Sequence, residues 1–162
     1  MTLMTDFRNA MAQLGSAITI ITTDGPAGKY GFTASAVCSV TDEPPTLLIC
    51  MNRSSFANSK FKENGVLCVN ILSAHHRELS AVFANGKLRS DERFLHDNWQ
   101  TLTTGAPVLT SAIASFDCTI GDCHEVGSHS IFYCPVQEIG FGQGEQGLVY
   151  FNRQYHTLAA SL

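Results

Sequence analysis

Strand-like segments follow one another along this chain without long helices between them. Apolar or alternating stretches of strand length occur at 17–22, 30–40, 46–51, 66–72, 115–120, 130–139 and 148–151. A doubly wound parallel sheet needs a crossover of about a dozen residues between successive strands, so this order argues against that architecture. About seven strands with a few short helices predict a mainly β fold, an antiparallel barrel or sandwich with peripheral helices.

Three short helices are predicted beside these strands. Residues 7–14 carry apolar side chains at i, i+3, i+4 and i+7, which predicts an amphipathic helix. Thr5 or Asp6 is a suitable N-cap for it. Two further helices are expected to begin at Ser54 and Ser73, each of which can cap the segment that follows.

The length and charge of the chain exclude several classes of protein. The 162 residues contain no internal repeat or linker, so a single domain over 1–162 is expected. A net charge of −4 with only ten Lys and Arg argues against nucleic-acid binding and against a polybasic membrane patch. Charged residues make up 15%, against roughly 25% on average, which indicates surface buried against a second subunit.

Localisation is predicted from the absence of apolar segments. No apolar stretch approaches the ~20 residues of a membrane span. The first residues have neither a basic start nor an apolar run, so no secretory signal is predicted. A cytoplasmic protein without membrane contact is expected.

The six cysteines are predicted to be reduced. Cys50, Cys68 and Cys118 lie inside apolar or alternating runs, where core thiols are the better interpretation than disulfides. The spacing of Cys118, Cys123 and His124 is poor for zinc, so no metal site is predicted. Nucleophile-elbow, Walker, zinc-protease and dinucleotide-fingerprint motifs are not found in the sequence. The pair His75–His76 is interpreted as an exposed polar turn.

Small residues crowd the strand-like segment at 31–40. A strand without bulky side chains lets another surface approach its backbone closely. Thr33, Ser35 and Ser39 add hydroxyls to that segment. The pattern suits a flat ligand with polar edges, and it suits equally a strand packed against a neighbouring subunit.

Three other segments could carry chemistry. The strand-to-helix junction at Arg53, Ser54 and Ser55 could receive a phosphate, although it has no glycine-rich loop. The turn containing His129 and the end containing Arg153 also have plain interpretations, as a polar turn and as terminal packing.

Taken together, the motifs resemble a known family. In chain order they read FRxAM, ITIITTDGPAG, GFTASAVCSVTDEPPTLLICMNR, CVNIL, LSxxFA, GSHSIF and LVYFNRQYHxL. This order resembles the short-chain flavin reductases, the small reductase components of two-component flavin monooxygenase systems. The match runs from Phe7 to Leu158. The nearest members are the reductases of pyrimidine ring-opening oxygenation, which we favour, and of 4-hydroxyphenylacetate hydroxylation.

The resemblance implies a fold and an activity. The fold would be a six-stranded antiparallel Greek-key split barrel, the FMN-binding split barrel, acting as a homodimer. The activity would be reduction of FMN, FAD or riboflavin by NADH or NADPH. The reduced flavin would then leave for a partner monooxygenase.

The resemblance also implies site residues. The flavin contacts would be Thr33, Ala34, Ser35, Ala36 and Ser39 at the ring, Cys50, Met51 and Asn52 along the ring and ribityl chain, Ser55 and Asn58 toward the phosphate, and Phe83 and Ala84 closing over the flavin. His129 would be the catalytic-site residue that binds nicotinamide, with Arg153 and Tyr155 on the same side. Ser128 stands where the family has Asp.

Two other functions fit the residues. One is a flavin-binding carrier or sensor without reductase turnover. The other is a structural barrel in which the small-residue strand serves only dimer packing. Turnover of NADH separates the first from a reductase, and flavin binding separates the second.

Overall fold

The computed structural model describes residues 1–144 and 146–159. Its strands are β1 (Ser16–Ala17), β2 (Thr19–Thr23), β3 (Tyr30–Ala34), β4 (Val37–Asp42), β5 (Pro45–Asn52), β6 (Val66–Ile71), β7 (Trp99–Thr101), β8 (Pro107–Leu109), β9 (Ala114–Thr119), β10 (Cys123–Val126), β11 (His129–Phe141), β12 (Gln146–Phe151) and β13 (Gln154–Ala159). Its helices are α1 (Leu3–Met11), α2 (Asn58–Asn64), α3 (Arg77–Ala84) and α4 (Ser90–Arg93), with 3-10 turns at Ala74–His76 and Phe94–His96.

One long strand joins the two halves of the main sheet. The strand order is β3-β2-β6-β9-β11-β5-β4, every pairing is antiparallel, and β10 pairs with β11 beside this path. The first half of β11 pairs with β5 and the second half with β9, with a register shift between Val136 and Glu138. Because a register shift of this kind bends and twists a strand, the sheet curls. The predicted mainly β, antiparallel class is confirmed, and the six-strand Greek-key count stays a prediction.

The core lies on both faces of β2. All five residues of this strand are buried, and successive side chains point to opposite faces. Ile21 belongs to a cluster with Ile49 and Phe132, whereas Ile20 belongs to a second cluster with Phe83. Fully burying each such side chain stabilises the fold by about 1.5–3 kcal/mol. The core clusters therefore support, on its inner side, the sheet that carries the candidate site.

The strand predicted over 30–40 is two strands. β3 ends at Ala34 and pairs with β2, whereas β4 begins at Val37 and pairs with β5. Between them the N–H of Val37 donates to the carbonyl of Ser35 over 3.0 Å, which tightens the chain into a bend. We call Ser35–Ala36 the small-residue bend. It sends the chain from one half of the curled sheet to the other.

Two of the predicted helix starts are wrong. Thr2, rather than Thr5 or Asp6, caps α1 and accepts a hydrogen bond from the N–H of Thr5. The second helix begins at Asn58, because Oδ1 of Asn52 accepts from both the N–H and the hydroxyl of Ser54 and holds that segment in a turn. Ser73 caps the third helical segment, as predicted.

His76 departs from the exposed-turn interpretation. His75 is exposed, but His76 is only 6% exposed. Its Nδ1 accepts the N–H of Ser73 over 2.9 Å, and its Nε2 lies 2.9 Å from Oγ of Ser111. Burial lowers the pKa of His76, so the neutral imidazole is part of the fold.

The thiols and the helices bear on two further expectations. All six cysteines are free; Cys68 and Cys118 are buried as predicted, whereas Cys50 is only half-buried. Cys50 therefore lies at the surface of the sheet and not in the core. None of the helices in 1–144 and 146–159 is long and apolar enough to cross a membrane.

Candidate active site

The outward face of β5 and β11 brings three predicted residues together. Cys50 pairs with Ile131 and Asn52 pairs with His129. Residues two apart in a strand share a face, so Cys50, Asn52 and His129 lie on one side of the sheet. Met51 lies on the other side and is 2% exposed, in the core. Any contact of Met51 with a ligand on the outward face would therefore come from its backbone.

A cavity of about 520 Å³ opens at this face. It is walled by α1, the small-residue bend, β5 and the turn between β12 and β13, through Arg8, Met11, Ala12, Leu14, Ser16, Ser35, Ala36, Val37, Cys38, Leu48, Cys50, Tyr150 and Arg153. Four predicted residues, Ser35, Ala36, Cys50 and Arg153, thus line one cavity. A neighbouring cavity of about 430 Å³ shares Ser35 and reaches Ser39. We call the first of these the bend cavity.

The small-residue bend explains why the bend cavity exists. Ser35 and Ala36 are exposed and carry no bulk, so a flat ligand can approach the backbone there. The N–H of Cys50 donates to the carbonyl of Ala36 over 3.2 Å, which fixes the bend to β5. Burial, with a smaller effect of Cys38, raises the pKa of the Cys50 thiol. The thiol is neutral near pH 7, so Cys50 lines the cavity without adding a charge to it.

Thr33 and Tyr155 meet away from the bend cavity. The Thr33 hydroxyl donates to the carbonyl of Ser80 over 2.6 Å, and the Tyr155 hydroxyl lies 2.8 Å from Oγ of Ser80. Ser80 is buried on α3. Both hydroxyls are therefore committed to joining β3, α3 and β13.

The predicted phosphate residues are separated. Asn58 is 5% exposed, and its amide donates to the carbonyl of Asn52 and to Oγ of Ser130. Both N–H donors of its side-chain amide are thus used inside the fold. Ser55 instead lines a second cavity of about 460 Å³, together with Arg89 and Arg93. We call this the arginine cavity.

The arginines of the arginine cavity were missed from the sequence, because both lie in a polar stretch without periodicity. Arg93 donates from Nη1 to the carbonyl of Gly31 and from Nη2 to that of Asn85, each over 2.8 Å. Its Nε is buried without a partner in the described residues. Arg89 is paired with Asp91 at 2.6 Å. Within the described part of the chain, the hydrogen-bond acceptors of the Arg93 guanidinium are backbone carbonyls, and no carboxylate pairs with it.

Phe83 and Ala84 do not lie where an element closing over the flavin is expected. Phe83 is 1% exposed and packs in the second core cluster. A Cβ built on Gly31 of β3 would come within 2.7 Å of its ring, so Phe83 lies directly behind β3. Ala84 is exposed at the end of α3. Phe83 therefore supports β3 from the core side.

Two polar groups stand at the edge of the outward face. His129 is exposed, and its Nδ1 lies 2.8 Å from Oγ of Ser128. Arg153 occupies the two-residue turn between β12 and β13, and its Nη2 donates to Oδ1 of Asn9 over 2.8 Å. Ser128, which stands where the family has Asp, thus contacts the side chain of His129.

The chain is similar to known proteins both in sequence and in structure. The sequence family described as flavin reductase like domain matches residues 11–159. The FMN reductase (NADH) RutF of Variovorax paradoxus strain S110 is 55% identical over 155 residues, which is 96% of this chain and 86% of that protein. The structure of BorF, the flavin reductase component of a bacterial two-component tryptophan halogenase, superposes with a TM-score of 0.90 at 25% identity, covering 98% and 99% of the two chains.

The chain is also similar to a protein of Haemophilus somnus 129PT that is assigned to the flavin reductases. Its crystal structure has a TM-score of 0.93 at 48% identity, with 97% of this chain and 100% of that chain covered. The two TM-scores show that these proteins share the overall fold of the chain. The chain belongs to the flavin reductase-like domain family.

Proposed function

We propose that this chain is a single-domain reductase over 1–162 that uses NADH to reduce FMN. Relatives at 52–56% identity are named FMN reductase (NADH). The observation that carries the proposal is the bend cavity, in which Ser35, Ala36 and Cys50 leave room for a flat ring. FAD and riboflavin present the same ring, and NADPH the same nicotinamide, so they are secondary substrates.

The protein's part in the reaction is to bind and orient. Hydride passes from nicotinamide to flavin, and the two rings supply that chemistry themselves. Ser35 and Ala36 set the backbone against which the flavin ring lies. His129 and Asn52 stand at the edge where nicotinamide would stack. Donor groups aimed at the flavin would favour the charge that reduction adds.

The phosphate end of the flavin is assigned to the arginine cavity. Tyr30, at the start of β3, lines this cavity, and the small-residue bend follows the end of β3. About 3.4 Å per residue places the two cavities roughly 17 Å apart along the strand. An extended ligand lying along β3 can therefore contact Ser35 at one end and Ser55 with Arg93 at the other. Ser55 thus keeps its expected place toward the phosphate, and Arg93 takes the place expected for Asn58.

A homodimer is the proposed active form. Every residue of α1 lies outside the core. Leu3, Phe7 and Met11 of this helix are 86%, 63% and 48% exposed. Apolar faces of this kind mark interaction surfaces. Because α1 also walls the bend cavity, a second subunit covering it would help to close the flavin site.

The product of the proposed reaction leaves the enzyme. BorF is by its name a component of a two-component system, and we propose that this chain also supplies reduced flavin to a separate monooxygenase. The relatives named RutF favour an oxygenase that opens the pyrimidine ring. The bend cavity is open on one side, which suits a flavin that must dissociate.

The test is NADH oxidation by flavin-free protein with FMN, FAD or riboflavin added. Oxidation that depends on added flavin, fastest with FMN, is the expected result. Flavin binding without NADH oxidation would favour a carrier or sensor, and absence of flavin binding would favour a structural barrel. Either result would overturn the proposal.

A further inference from the structure

Two donors of Arg53 contact the turn that Gly127 and Ser128 form between β10 and β11, and a third contacts β10. The Arg53 N–H donates to the carbonyl of Ser128 over 2.9 Å, and Nη1 donates to the carbonyl of Gly127 over 3.1 Å. Its Nε lies 2.9 Å from Oε2 of Glu125 on β10. Arg53 thus binds both peptides of the turn and the strand that leads into it. The expectation that Arg53 faces a phosphate is not met.

Glu125 extends this contact to α2. Nζ of Lys62 lies 2.6 Å from Oε1 of Glu125, and Oγ of Ser130 donates to Oε2 over 2.8 Å. The hydrogen bond from Lys62, followed by that from Ser130, lowers the pKa of Glu125. The carboxylate is therefore charged at neutral pH and joins β10, β11 and α2.

The β10 side of the turn lies at the edge of the sheet. Among the described residues β10 pairs with β11 alone, and all four of its residues are exposed. β11 is held by its pairing with β5 as far as His129 with Asn52. Gly127 has φ +55°, so the turn needs a backbone conformation that glycine supplies. The contacts from Arg53 and Glu125 therefore fix the β10 side of the hairpin and the turn itself, whereas β5 fixes β11.

The Gly127–Ser128 turn directly precedes His129, the residue assigned to nicotinamide. His129 pairs with Asn52, which directly precedes Arg53. We infer that Arg53 is a positioning residue: it holds the Gly127–Ser128 turn on the end of β5 and fixes where the His129 ring meets the nicotinamide. The inference rests on the proposed function, because it takes His129 as the nicotinamide contact.

The experiment compares steady-state kinetics of R53A, R53K, H129A and the double variant R53A/H129A. R53A should raise the KM for NADH roughly tenfold, since a displacement of about 1 Å is enough for such a loss, with kcat and the KM for FMN nearly unchanged. R53K should also raise this KM, because an ammonium cannot reproduce the planar fork of a guanidinium. R77A, at an exposed arginine whose side chain donates to Oγ1 of Thr157 over 3.3 Å, is the control.

The double variant separates positioning from direct contact. If Arg53 acts through His129, adding R53A to H129A should raise the KM no further. Equal additive effects would overturn the inference, and so would an unchanged KM in R53A or an equal rise for both substrates with a lowered melting temperature. An unchanged KM in H129A would overturn it together with the role of His129. A wild-type protein that oxidises no NADH would remove the proposed function itself and this inference with it.

Discussion

Ser35 stands at the small-residue bend and lines both the bend cavity and the neighbouring cavity that reaches Ser39. A leucine at this position would place three additional carbons, in place of the hydroxyl, where the flavin ring is proposed to lie. S35L should therefore weaken FMN binding roughly tenfold or more, since a built-in clash rejects a ligand without changing the fold. Quenching of flavin fluorescence measures this. S59L, on the exposed side of α2, is the matched control, and equal affinities of S35L and wild type would contradict the placement of the ring.

His76 gives the fold a pH dependence of predictable sign. Burial lowers its pKa below 6.5 in the folded state, so folding favours the neutral ring. Its contribution to stability is present above pH 6.5 and is lost as the pH falls and the Nδ1 that accepts from Ser73 becomes protonated. The free energy of unfolding should therefore fall more between about pH 7 and about pH 5 in wild type than in H76Q. H75Q should behave as wild type, and identical pH profiles for wild type and H76Q would contradict the assignment.

The predicted residues that line the bend cavity share one property. Ser35, Ala36 and Cys50 are small, and their size is visible in the sequence itself. Thr33 and Asn58 could not be placed, because their polar groups are satisfied by partners 47 and 72 residues away. The two arginines of the arginine cavity lie in a stretch with no periodicity, so nothing in the sequence brings them beside Ser55.

At the scale of elements, the turn between β12 and β13 stores backbone strain. Asn152 and Arg153 have φ of 49° and 59°, and at a non-glycine residue this conformation costs about 1–2 kcal/mol. Asn tolerates it better than most, so Arg153 carries the larger share. A strained arginine at the edge of the bend cavity points to a role for its guanidinium.

R153G should separate stability from activity. Glycine favours positive φ, so the variant should be more stable by about 1 kcal/mol, a rise in melting temperature of about 2–4 °C. The KM for NADH should rise, because the guanidinium at the edge of the bend cavity is lost. Thermal unfolding and steady-state kinetics measure the two effects. N152G keeps the guanidinium and is the control; an unchanged KM in R153G would remove Arg153 from the nicotinamide side.

Several elements escaped prediction for a common reason. The four residues of β10 are all exposed, and β13 has only one partly buried residue, so neither strand shows an alternating pattern. Each becomes a strand by pairing with its neighbour in the chain across a two-residue turn, without a buried face that the sequence would show. The segment at 30–40 reads as one strand because Ser35 and Ala36 do not interrupt its pattern, yet its halves pair with different partners.

At the scale of the whole molecule, the exposed apolar face of α1 predicts the oligomeric state. F7E places a charge in the centre of that face and should convert the proposed dimer to monomers. Sedimentation at several protein concentrations measures this. L95E changes an 84% exposed leucine elsewhere and should leave the dimer intact. A monomeric wild-type protein, or a dimer that F7E leaves unchanged, would contradict the role given to α1.

The shared strand β11 has a consequence for how the chain is made. Its pairs join residues far apart in sequence, such as Cys134 with Leu47. A fold dominated by such contacts forms in milliseconds to seconds. Until residue 141 leaves the ribosome, β5 and β9 each lack a neighbour, and unpaired strand edges are templates for aggregation. The nascent chain is thus most exposed to misassembly, and most in need of a chaperone, during synthesis of its last third.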